Sequence, residues 1–92
     1  MRLSFRVTGK VQGIGYRWFI KETAEKHAVS GWVRNALDGA VEGEAQGSMP
    51  ALDDFLKEIK SGHPWAVPDR TETQEMLDHE AGEKDFYIKP TV

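Results

Sequence analysis

Cysteine is absent from the 92-residue chain, so a disulfide framework and thiolate catalysis are both excluded, and a reducing compartment suits the sequence. No apolar run reaches the length of a membrane span. The opening MRLSFRVTGK alternates apolar Leu3, Phe5 and Val7 with polar Ser4, Arg6 and Thr8, unlike the unbroken apolar stretch of a secretory signal. A cytoplasmic location is therefore expected, with no membrane partner. An excess of positive charge is also missing: 12 Lys and Arg stand against 15 Asp and Glu, a formal net charge of -3. Nothing in that balance attracts nucleic acid broadly, so any anion has to be bound by a local device. His27, His63 and His79 are widely separated, and the acidic residues show no ligand spacing near the motifs below. Neither a metal nor another cofactor is expected.

What is present suits one globular domain spanning residues 1–92, with 39% apolar content and no repeat, linker or low-complexity segment. The alternation over residues 3–8 predicts a half-buried strand running into the glycine-punctuated segment 9–15. From Tyr16 the period becomes helical, with Tyr16, Phe19, Ile20, Thr23, Ala24 and His27 on one side and Lys21/Glu25 and Glu22/Lys26 as i,i+4 pairs. Segments 29–35 and 40–45 flank Ala36-Leu37-Asp38-Gly39, whose Asp-Gly pair suits a hairpin turn. A second helix follows, with Leu52, Phe55, Leu56 and Ile59 at i, i+3, i+4 and i+7 between Ser48 as N-cap and Gly62 as stop. Pro50 is tolerated in its first turn. Residues 63–68 read as a loop, Thr71, Thr73 and Met76 as a weak strand, and 85–89 as a short last one. The order β-α-β-β-α-β plus a terminal strand predicts a ferredoxin-like α/β sandwich, with a mainly antiparallel sheet and both helices on one face.

Two places carry possible chemistry. In Gln12-Gly13-Ile14-Gly15-Tyr16-Arg17 two glycines lead into a helix, where unpaired N–H groups and the positive end of the dipole attract phosphate-sized anions. The glycines let successive N–H groups form a nest, and Arg17 adds a planar fork of donors. An isolated G-x-G more often marks a plain strand-to-helix turn beside a surface arginine. A dinucleotide fingerprint is excluded because Trp18 stands at the third glycine position, and no glycine precedes Lys-Ser or Lys-Thr as in a Walker A loop. The second place is Asn35, a polar amide on the side of its strand shared by Val29, Gly31 and Val33. Asparagine beside a turn commonly satisfies only local backbone groups.

Together, Gly9-Lys10-Val11-Gln12-Gly13-Ile14-Gly15-Tyr16-Arg17 and Gly31-Trp32-Val33-Arg34-Asn35-Ala36-Leu37-Asp38-Gly39 resemble the two signature segments of the acylphosphatase family. The resemblance extends more loosely through the Val41 strand, the second helix, Gly62-His63-Pro64 and Phe86-Tyr87-Ile88. It implies metal-independent hydrolysis of a small acyl phosphate to a carboxylate and inorganic phosphate. It also implies phosphate binding by Gln12, Gly13, Ile14, Gly15, Tyr16 and Arg17, with Arg17 as the essential anion ligand and Asn35 orienting the attacking water. A monomer is the simplest expectation.

The chain departs from the family pattern at three points. His27-Ala28 stands where members commonly have Leu-Gly, so a positive φ at Ala28 would cost about 1 kcal/mol. Ala36 replaces a hydroxyl residue that would support Asn35. Pro68 implies a fourth strand that is short or at an edge. Trp18, Trp32, Trp65, Phe86 and Tyr87 read as core and edge packing, with Trp18 also a possible neighbour of the acyl group. Two other readings share the fold: a non-catalytic RNA-binding module, and the acylphosphatase-like part of much longer hydrogenase maturation factors that consume carbamoyl phosphate.

Overall fold

The computed structural model describes residues 1–77 and 82–91. His79 therefore lies outside the described residues. The elements are β1 (Arg2–Lys10), α1 (Tyr16–Lys26), β2 (Ser30–Asn35), β3 (Val41–Gln46), α2 (Met49–Ser61), β4 (Val67–Met76) and β5 (Phe86–Ile88). They form one five-stranded sheet in the order β4-β1-β3-β2-β5. The pairings β1–β3, β1–β4 and β2–β3 are antiparallel, whereas β5 runs parallel to β2, so the sheet is mixed. The expected ferredoxin-like α+β sandwich is the observed fold.

Strand period and helix period meet in a single core. Leu3, Phe5 and Val7 of β1, Val33 of β2, Val41 and Ala45 of β3 and Phe86 of β5 pack against Tyr16, Ile20 and Ala24 of α1 and Leu52, Phe55 and Ile59 of α2. Phe55 stands edge-on to Phe5 with ring centroids 5.7 Å apart and lies 6.0 Å from Phe86, tying α2 to the centre and to one edge of the sheet. Burying each such ring stabilises the fold by about 1.5–3 kcal/mol. The opposite face of the sheet carries the polar half of the alternation. There Arg6 and Arg34 share the carboxylate of Glu42 at 2.8 and 2.7 Å, and Arg2, fully buried, pairs with Glu44 at 2.8 Å and Glu83 at 3.1 Å.

The helix ends explain where each helix stops. Ser48 caps α2, its Oγ accepting from Ala51 N–H at 3.2 Å, with Pro50 in the first turn. α1 closes through Ala28, at φ 56°: Val29 N–H donates to Ala24 C=O at 2.8 Å and Ala28 N–H to Glu25 C=O at 3.3 Å. This is the Schellman arrangement, whose left-handed position is held here by an alanine. The Lys21–Glu25 pair forms at 2.7 Å, but Lys26 reaches across to Glu58 of α2 at 2.8 Å instead of back to Glu22.

Two expectations need correction. β4 lies at the edge, as Pro68 implies, but it starts at Val67, within the segment read as a loop, and runs for ten residues. Pro68 is accommodated opposite Gly9, where the β1–β4 register shifts. Of the aromatic residues read as packing, Phe86 is core, but Trp18 and Trp65 are 62% and 73% exposed and Tyr87 is also exposed. Trp32 lies on the polar face beneath Arg34 and Lys89, at 4.8 and 4.7 Å from its ring centroid.

Candidate active site

The segment between β1 and α1 turns because Gly13 and Gly15 both adopt left-handed backbone, at φ 76° and 77°. Gly15 is also the N-cap of α1, and no side chain caps that end, nor does an acidic residue occupy the first turn. Phe19 N–H makes the first i-4 bond, to Gly15 C=O at 3.1 Å. The preceding amides of Tyr16, Arg17 and Trp18 thus belong to the orphan set of a helix N-terminus, with the dipole's positive end uncompensated. Arg17 follows one residue into the helix, half-buried, and among the described residues it makes no ion pair with a carboxylate.

Asn35 arrives from the other side as the last residue of β2, opposite Val41 of β3. The hairpin beyond it closes with Ala36 N–H to Ala40 C=O at 2.8 Å and Gly39 N–H to Ala36 C=O at 3.1 Å. Asp38 braces the turn, one carboxylate oxygen accepting from Ala40 N–H at 3.1 Å and the other from Arg6. The amide of Ala40 first, and then the Arg6 guanidinium, hold the Asp38 carboxyl below the usual carboxylate range. Val11, Gly13, Gly15, Tyr16, Arg17, Trp18 and Asn35 enclose a cavity of about 260 Å³, so the loop, the helix terminus and the strand end face one space.

The predicted phosphate-binding residues take different parts in this cavity. Gly13, Gly15, Tyr16 and Arg17 line it. Tyr16 does so without offering its hydroxyl, because its ring is buried and its O–H donates to Ile59 C=O on α2; burial pushes that phenol above its ordinary range. Ile14 packs against the core and Gln12 points elsewhere. Gln12 Nε2 donates to Ala36 C=O at 2.8 Å and to Ala40 C=O at 2.9 Å, pinning the loop to the hairpin that carries Asn35. Sequence reading missed this clamp, and also Val11 as a wall; the side-chain reach of Gln12 leaves no periodic signal.

One atom is out of balance. Asn35 Oδ1 is buried without a hydrogen-bond partner, unique in this among side-chain atoms of the described residues. The alanine at position 36 has no hydroxyl to offer it. A buried acceptor left in this state costs about 1–3 kcal/mol. Such atoms in native structures call for an explanation, and a ligand O–H is one.

Sheet, helix terminus and cleft together define a ferredoxin-like domain in which an uncapped helix N-terminus faces a single carboxamide. The acylphosphatase family model matches residues 3–88. An acylphosphatase of Geobacillus thermodenitrificans is 41% identical over 87 residues, covering 95% of this chain and 92% of that one. The crystal structure of the Bacillus subtilis acylphosphatase superposes with a TM-score of 0.89 at 34% identity, covering 96% of this chain and 97% of that one. Full-length HypF, in its phosphate- and nucleotide-bound form, contains a region similar to 98% of this chain with a TM-score of 0.88 and 29% identity, but that region is only 12% of HypF. The chain belongs to the acylphosphatase family and is a hydrolase of that kind.

Proposed function

We propose that this acylphosphatase splits the carboxyl-phosphate bond of a small acyl phosphate by direct attack of water on phosphorus. The phosphate sits in the nest formed by the amides from Gly13 to Trp18, with Arg17 bonding its oxygens. Asn35 Oδ1 accepts a hydrogen from the attacking water, and the orphaned state of that atom is the observation that carries the reading. A carboxamide does not titrate near neutrality, so Asn35 aligns the water and the proton passes to the phosphate or to solvent.

The substrate's own chemistry makes this small machinery sufficient. A carboxylate of low pKa leaves without a strong general acid, so the protein has to supply position and charge stabilisation. Arg17 and the nest meet the charge on the equatorial oxygens, each charge-assisted bond contributing about 1.5–3 kcal/mol. The same reading takes the enzyme to work in the cytoplasm as a monomer without metal, nucleic acid or membrane partners. Among the described residues no helix is long and apolar enough to cross a membrane.

The test is phosphate release from benzoyl phosphate with a chelator present. Rapid turnover is expected. A well-folded protein that fails to turn over would shift the reading to a phosphate-binding module without catalysis.

A further inference from the structure

The cavity of about 260 Å³ is larger than an orthophosphate ion, though just below the range of about 300–1,000 Å³ usual for small-molecule sites. Trp18 is among its lining residues and is 62% exposed. An indole in that position has no packing role to account for it, since the buried face of α1 is made by Tyr16, Ile20, Thr23 and Ala24. The other aromatic lining residue, Tyr16, is committed to the core through Ile59. Charge around the mouth is equally one-sided. Arg17 is the single cation among the described lining residues, and the phosphate takes it. Lys21 is 6.0 Å from the Trp18 ring centroid, but its ammonium is paired with Glu25 at 2.7 Å.

From these observations we infer that Trp18 is the specificity-determining residue for the acyl half of the substrate, selecting uncharged, flat or apolar acyl groups over acyl groups that carry a second anion. The inference rests on the phosphate half being held as proposed above. With the phosphate anchored in the nest, the acyl group projects toward the mouth and lies against the indole. Aromatic contact contributes about 0.5–1.5 kcal/mol beyond area burial, which corresponds to a factor of about 3 to 10 in binding. A carboxylate or second phosphate on the acyl chain would meet the same indole with no unpaired cation among the lining residues to receive it.

The experiment compares kcat/KM for benzoyl phosphate, acetyl phosphate and succinyl phosphate in the parent enzyme, Trp18→Ala and Trp18→Phe. The parent is expected to rank benzoyl above acetyl and acetyl above succinyl. Trp18→Ala should shrink the benzoyl-to-acetyl ratio by a factor of about 3 to 10, mostly through KM, while Trp18→Phe retains most of it. A ratio that stays put in Trp18→Ala, or a loss that falls equally on benzoyl and acetyl phosphate, would overturn the role of Trp18 and leave the phosphate site standing. A parent that prefers succinyl phosphate would overturn the selection against charge. Absence of turnover with all three substrates would sink the catalytic reading itself, and this inference with it.

Discussion

The two halves of the cleft are held by different means. The loop from Val11 to Arg17 draws its shape mainly from the backbone: two left-handed glycines and a helix terminus with no side-chain cap, with Tyr16 anchored through its hydroxyl to α2. Asn35 depends on sheet register with Val41 and on a turn braced by Asp38, and its own carboxamide oxygen has nothing to rest on. Between them runs one side chain, Gln12, with its two bonds to Ala36 and Ala40. A nest built from main-chain amides tolerates much side-chain change, while a single amide aimed by a strand end is sensitive to small displacements. Affinity for phosphate and rate of hydrolysis should therefore be separable by mutation.

The largest separation is expected between Arg17→Ala and Asn35→Ala. Loss of two charge-assisted bonds, at about 1.5–3 kcal/mol each, should weaken inorganic phosphate by about a hundredfold or more in Arg17→Ala and abolish turnover. Asn35→Ala should keep phosphate affinity near that of the parent while kcat drops by about 10²–10³, the scale of one lost transition-state hydrogen bond. Phosphate titrations by calorimetry on both folded variants decide the matter; lost binding in Asn35→Ala would mean that the two halves are one unit.

Gln12→Ala is the sharper probe, because it cuts the link without touching either end. Its two acceptor carbonyls keep other partners, Ala36 C=O from Gly39 N–H and Ala40 C=O from Ala36 N–H, so the stability cost should stay near 1 kcal/mol. The expected result is kcat down by about tenfold from misplacement of Asn35, with the phosphate inhibition constant barely moved. An equal loss in both would make Gln12 a phosphate ligand.

Away from the cleft, Ala28→Gly should stabilise the protein by about 1 kcal/mol, because glycine adopts φ 56° without the Cβ clash that alanine bears. A urea midpoint that fails to rise would show that strain at the α1 terminus is relieved elsewhere. The smallest effect is expected from Asp38. Its folded pKa lies below the ordinary value, so its contribution is present above the unfolded aspartate pKa and is lost as pH falls through the lowered folded value. Asp38→Asn should flatten the acid limb of the stability profile in that window, read from denaturant midpoints between neutral and acid pH.

Much of the fold could be read directly from periodicity. Leu3, Phe5 and Val7 alternate, and Leu52, Phe55 and Ile59 repeat at helical spacing, because each element has one face against the core. β4 gave almost no such signal for the opposite reason: as an edge strand it is mostly exposed, so Thr71 and Thr73 carry little contrast with their neighbours. The parallel pairing of β5 depends on a partner 55 residues earlier, as in Gly31 with Phe86, and no local pattern reports it. Arg17 and Asn35 became visible as a pair only through two motifs taken together, since either alone suits an ordinary turn. The resemblance places Gln12 in the phosphate loop, and no local pattern reports that its side chain bonds carbonyls 24 and 28 positions away. The exposure of Trp18 was likewise invisible, because an aromatic residue in a small domain is usually packing.

The register of β1 has a kinetic meaning. Arg2 pairs with Gln46 on one side and Met76 on the other, and the strand that carries Asn35 gains its outer neighbour only when residues 86–88 arrive. Apart from the local β2–β3 hairpin, the ladders of the sheet must wait for loop closure over tens of residues, which places folding toward the slow, millisecond-to-second end of small domains. During synthesis on the ribosome, β1 and α1 emerge long before most of their partners, so the loop between them is made first and acquires its supporting sheet last.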